Sequence, residues 1–118
     1  MTRDLFDQLG HVSVRVSRES LGFDELALRR LGIHRRVETI APSFVSVPRL
    51  LLGTERVAVI HRRLAMQVEK TLPVKLFEMP YDFPKVREVA QWPSRHGNDA
   101  AIKWLVGRMK ALAQTLDS

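Results

Sequence analysis

Four histidines, thirteen carboxylates and a pair of serines beside a proline are the side chains here whose types suit chemistry. His11, His34, His61 and His96 are scattered, with none of the close spacing that metal ligands show, and the chain has no cysteine. No metal, no cofactor and no disulfide is therefore expected. Ser43, Phe44 and Ser46 follow an apolar run and precede Pro48, where a helix is expected to open. Free backbone N–H groups and a partial positive charge at such a start suit a carboxylate. The same serines suit capping, either Ser43 with Ser46 in the first turn or Ser46 with Pro48 there. Capping and ligand contact are compatible, and both readings stand. His61-Arg62-Arg63 reads as an anion contact or as a solvated helix start. Asp24, Glu25, Glu38, Glu55 and Glu69 stand near basic residues, which suggests surface pairing rather than acid catalysis. With no glycine-rich phosphate loop, no Gly-x-Ser-x-Gly elbow and no cysteine nucleophile, no enzyme and no catalytic residue is expected.

The elements that must position these residues alternate in kind. Val12, Val14 and Val16 alternate with polar residues, so 11–16 reads as a strand with one apolar face, toward a sheet edge. A polar loop leads to a helix over 23–31, stopped by Gly32. Residues 36–41 form the next strand, suited to burial on both faces. A helix through Leu50, Leu51 and Leu52 ends at Gly53, and 55–60 is a third strand around the buried-strand signature Val57-Ala58-Val59-Ile60. A short helix over 63–70 and an extended segment over 73–79 follow. Pro80 and Pro84 bracket an extended boundary. A last strand over 86–92 and a turn over 93–97 lead to the longest helix, 99–116, with Asn98 or Asp99 as its cap and Ile102, Leu105, Met109, Leu112 and Leu116 in one stripe. Strand, helix, strand in succession gives an α/β fold with a small, mostly parallel sheet flanked by helices, and a ligand crevice where a crossover helix meets a strand end.

The 118 residues are 45% apolar and 27% charged, as in an ordinary globular domain, and carry a net charge of +6. That charge invites a nucleic-acid reading, but Arg29-Arg30, Arg35-Arg36 and Arg62-Arg63 are separate pairs at element edges without interleaved aromatics, which favours solvated edges. No apolar run reaches the length of a membrane span and MTRDLFDQLG lacks a signal-peptide pattern, so a cytoplasmic protein without membrane contact is expected.

Residues 41–65, APSFVSVPRLLLGTERVAVIHRRLA, together with His11-Val12-Ser13-Val14, Leu31-Gly32, Arg35-Arg36-Val37, Gly53-Thr54, Gln91-Trp92, Asp99 and Trp104-Leu105, follow one family's order. In these the chain resembles the effector-binding domain of LysR-type transcriptional regulators, in the branch of nodulation and aromatic-degradation regulators. The resemblance implies a periplasmic-binding-protein-like fold in which 11–80 is the second subdomain and 81–118 a returning strand and C-terminal helix. It implies a fragment without the DNA reader and most of the first subdomain. The function so implied is sensing of a small aromatic or carboxylate effector in the intersubdomain cleft, with His11, Ser43, Phe44, Ser46, Gln91 and Trp92 as effector-binding residues and His96 beside them. No sequence-specific DNA binding is expected of this stretch, and its affinity for effector alone should be weak. Because the stripe on the last helix lacks its sheet, a second copy is expected to cover it, giving a homodimer; self-association, with itself or a complete regulator, is the alternative role.

Overall fold

In the computed structural model, which describes residues 1–116, strand β1 (Gly10–Val14) is buried along its whole length and organises the rest. Its neighbours are β2 (Arg36–Ala41) on one side and β3 (Val57–Ala58) on the other, giving a three-stranded parallel sheet of order β2-β1-β3. Helix α2 (Phe23–Arg30) connects β1 to β2, and α3 (Val47–Leu51) connects β2 to β3. The fold is thus the expected α/β type with a small parallel sheet. The chain forms two compact units, Met1–Pro84 and a second that begins at Lys85.

Alternation along β1 sends successive side chains to opposite faces. Val12 and Val14 meet Ala41 and Val47, with Phe44, Leu51, Ala58 and Ile60 packed around them. His11 and Ser13 take the other face, where His11 meets Phe6 of helix α1 (Arg3–Gln8) and Ser13 meets Asp24 of α2. Thr2 starts α1 by accepting from the Leu5 N–H.

Several expectations need correction. β1 is the central strand and not an edge, because strands pair on both its sides; it stops at Val14, and Val16 is 79% exposed. β2, expected to be buried on both faces, is an edge strand with Val37 and Ile40 exposed. Only Val57 and Ala58 of the third apolar run join a ladder, since β1 offers just His11 and Val12 opposite them. Gly32 and Gly53 end α2 and α3 with φ of 73° and 69°, the left-handed conformation that glycine adopts without steric cost.

After β3, helix α4 (Arg62–Glu69) leads to residues 70–84, which form no helix or strand. In the second unit the strand expected over 86–92 is absent. A strand needs a ladder partner, and the described residues of this unit contain no other strand. It consists of a turn at Ser94–His96 and helix α5 (Ala100–Leu116), whose start is capped by Asp99: its Oδ1 accepts from Ala101 N at 2.8 Å and Ile102 N at 3.3 Å.

Candidate effector site

In a parallel sheet the carboxyl ends of the strands face one way, and the loops leaving them converge on one edge. Here each of those exits carries an aromatic ring. Phe23 opens α2 after the loop from β1, Phe44 follows β2 by three residues, and His61 follows β3 by three. The three rings form a cluster: Phe23 to His61 is 4.6 Å between centroids, Phe23 to Phe44 is 5.1 Å, and Phe44 to His61 is 5.1 Å in an edge-on arrangement. Phe83 adds a fourth ring edge-on to Phe23 at 6.2 Å. All four are half-buried, presenting π-faces and edges to anything planar that enters.

Ser43 and Ser46 flank Phe44, but neither caps the helix as expected. Ser46 Oγ donates to the Ser43 carbonyl at 2.8 Å, and the two hydroxyls lie 3.3 Å apart. A capping oxygen accepts from the second or third helical N–H, and the second helical residue here is Pro48, which has none. With five residues α3 is also too short to build a useful dipole. What the serines offer a ligand is hydroxyls at the rim of the aromatic cluster.

The opposite, amino edge is occupied differently. His11 is fully buried, its Nε2 at 2.8 Å from the Phe6 carbonyl and its ring edge-on to Phe6 at 4.6 Å. His11, expected among the effector-binding residues, is thus covered by α1 in this structure and not open at a strand end. Burial, reinforced by the charges of Arg35 and Arg36, lowers its pKa below the usual histidine value despite the Phe6 carbonyl.

Beside it lies a network that sequence reading misplaced on the surface. Arg35 Nη2 donates to Asp24 Oδ2 at 2.9 Å, Glu25 Oε2 at 2.7 Å and Ser13 Oγ at 3.0 Å, with the Arg35 and Asp24 side chains each 1% exposed. Burial pushes the Glu25 carboxyl up, but hydrogen bonds from Arg35 and Arg29 outweigh it and hold its pKa below the usual value. An aspartate in the first turn of an amphipathic helix, in phase with the buried Ala27 and Leu28, was the signal available for this burial.

Gln91 and Trp92 belong to the second unit, where Gln91 is exposed and Trp92 42% exposed, and His96 ends the short turn. The first unit therefore gathers Ser43, Phe44 and Ser46 with Phe23, Phe83 and His61; of these, Phe23 and Phe83 carry no signal in the sequence beyond an apolar helix face and an extended boundary. Among the described residues no group of three or more His, Asp or Glu is arranged to hold a metal ion, and no helix is long and apolar enough to cross a membrane.

No family model matches the chain. Individual proteins do. Nodulation protein D 1 of Sinorhizobium fredii (strain NBRC 101917 / NGR234) is 37% identical over 103 residues, 86% of this chain and 32% of that protein. Nodulation protein D 1 of Bradyrhizobium japonicum gives 37% over 103 residues, with the same coverage. Nodulation protein D 1 of Rhizobium leguminosarum bv. phaseoli gives 34% over 106 residues, 89% of this chain and 34% of that protein. The chain spans about a third of the length of the curated relatives it matches. Identity at this level along most of the chain, on a parallel α/β frame, bears out the resemblance to the nodulation branch of the LysR-type regulators.

Proposed function

We propose that this chain supplies part of an effector-sensing domain and that its effector is a small aromatic molecule bearing a carboxylate or phenol. The observation that carries the reading is the ring cluster of Phe23, Phe44 and His61 at the carboxyl edge, with Ser43 and Ser46 at its rim. A planar ligand gains stacking and edge contacts there, while hydroxyls and imidazole answer its polar group. Residues 11–80 then act as one subdomain wall, and Gln91 and Trp92 are proposed as further effector contacts. His11 supports that wall from beneath. In a complete cytoplasmic regulator, occupation of the cleft would shift the subdomains and so the DNA reader. Four of the arginines are engaged with the chain's own carboxylates, Arg35 with Asp24, Arg36 and Arg56 with Glu38, and Arg62 with Glu78, which supports a sensing role over direct DNA recognition.

The test is a titration with benzoate and with phenol, followed by NMR. Weak binding is expected, with shifts at Phe23, Phe44 and His61 that disappear in Phe23→Leu. Shifts confined to other residues, or sub-micromolar affinity in this stretch alone, would sink the reading. A second reading, self-association through α5, is favoured by its stripe: Leu105, Met109, Leu112 and Leu116 are 51% to 60% exposed. Light scattering decides it, since Leu112→Lys should then abolish any dimer.

A further inference from the structure

Residues 80–84, PYDFP, end the first unit as a strap that forms no helix or strand. Pro80 and Pro84 have no N–H to give to a ladder. Side chains hold the strap at two places. At the first, α1 offers Arg3, Phe6 and Asp7, whose spacing of three and four sets them on one helix face. Arg3 Nε donates to the Pro80 carbonyl at 3.0 Å, and its guanidinium carbon lies 5.0 Å from the centre of the Tyr81 ring. The Tyr81 hydroxyl lies 2.8 Å from both Asp7 carboxylate oxygens, and Phe6 meets the Tyr81 ring edge-on at 5.8 Å. At the second place, Phe83 meets Phe23 of α2 edge-on at 6.2 Å. Tyr81 and Phe83 are both half-buried, with Asp82 exposed between them. A step of two residues spans at most about 7 Å, so one anchor cannot lift far without pulling on the other.

The second anchor stands on the ring that a ligand would need. His61 at 4.6 Å, Phe44 at 5.1 Å and Phe83 at 6.2 Å all lie against Phe23, so a planar molecule that stacks there must take the place of one of them. Phe44 packs on the core of Val12, Val14, Ala41 and Val47. His61 touches Phe44 at 5.1 Å, and its carbonyl accepts from the Ala65 N–H at the start of α4. Phe83 has no ladder behind it, and the Arg3 and Asp7 side chains that hold its neighbour Tyr81 are exposed, where polar contacts are weak. Of the three neighbours Phe83 is therefore the one that yields, and the strap belongs to the least stable part of the unit.

We propose that residues 80–84 are an autoinhibitory latch: Phe83 covers Phe23 until a planar ligand displaces it, and the displacement draws Tyr81 away from Asp7. The second unit begins at the next residue, Lys85, so release of the latch is the step that carries ligand entry onward along the chain. The proposal rests on the effector reading and adds to it the side chains that a ligand must move.

Tyr81 is the one tyrosine of the sequence, so tyrosine-labelled protein gives a single NMR signal that reports the latch. Asp7→Ala, a change at an exposed residue, gives the position of that signal without the hydrogen bond, and circular dichroism confirms that each variant folds. During a benzoate titration of the whole chain, the Tyr81 signal should move toward that position in step with the shifts at Phe23, Phe44 and His61. Asp7→Ala and Tyr81→Phe should each bind benzoate roughly two- to tenfold more tightly, because one hydrogen bond no longer favours the closed form. Phe83→Ala should bind more tightly as well, and benzoate should then leave the Tyr81 signal where it was. Shifts at the ring cluster with a still Tyr81 signal, parental affinity in either latch variant, or weaker binding in Phe83→Ala would each overturn the latch and leave the effector reading standing; the last would make Phe83 a wall of the site. Absence of any shift at the ring cluster would sink the effector reading itself, and the latch with it.

Discussion

The buried polar face of β1 and the aromatic carboxyl edge lie on the same sheet and are built on opposite terms. On the polar face, His11, Ser13, Asp24 and Arg35 are closed in, Arg35 holding Asp24 and Ser13 while His11 meets the Phe6 carbonyl; at the edge, Phe23, Phe44, His61 and Phe83 touch but stay half-open. A buried charge group is costly to disturb because whatever remains has no water to fall back on. A half-open ring cluster is cheap to disturb, because solvent already covers part of it. The two regions should therefore separate stability from binding.

The largest effect should come from Arg35→Ala. It strands Asp24, whose Oδ1 already lacks a partner, in a buried site together with Ser13, and breaking a buried pair in this way typically costs about 3–5 kcal/mol. Urea denaturation should show the chain close to unfolded at neutral pH; a midpoint within error of the parent's would mean that the network is open to water. Next comes Gly22→Ala. An added methyl would meet Asp24 Oδ1 at 2.5 Å and the Val14 carbonyl at 2.7 Å, and the latter is backbone that yields poorly. Overpacking of this kind costs about 1–3 kcal/mol, read from the same denaturation curves.

Acidification probes the polar face without changing a residue. Because the folded-state pKa of His11 lies below its ordinary value, folding binds fewer protons there than the unfolded chain does. The stability contributed by neutral His11 is present above the ordinary histidine value and is lost as pH falls through the lowered one. Charges around the ring set the balance: Arg35 and Arg36 oppose protonation and Asp7 favours it. One proton limits the slope to about 1.4 kcal/mol per pH unit. Denaturation midpoints should fall between neutral pH and the upper carboxylate range, and His11→Gln should flatten that decline; an unchanged slope in the variant would assign it to other groups.

How far these regions could be read in the sequence follows from what sequence patterns encode. Strand, helix and strand order, the Gly32 and Gly53 stops and the Asp99 cap are local signals, and the structure carries them. Strand position in the sheet is not local: β1 and β2 exchange the central and edge places expected of them, because pairing partners lie elsewhere in the chain. Arg35 and Asp24 looked like surface charges for the same reason, since only the fold brings them within 2.9 Å. At the carboxyl edge Phe44 stood out beside its serines, whereas Phe23 was read as part of a helix face. Its role appears only when three strand exits converge.

The smallest effect on stability is expected at that convergence, and it is the sharpest test of the contrast. Phe23→Leu keeps most of the side-chain volume and forfeits mainly the ring contacts with His61, Phe44 and Phe83, so the loss should stay within about 1.5 kcal/mol. The same substitution removes the face on which a planar ligand would stack. Thermal unfolding with and without saturating benzoate should thus show nearly parental melting in its absence and loss of most of the ligand-dependent rise. If Phe23→Leu instead melts as early as Arg35→Ala, the ring cluster is a second core, and the carboxyl edge holds the fold together just as the polar face does.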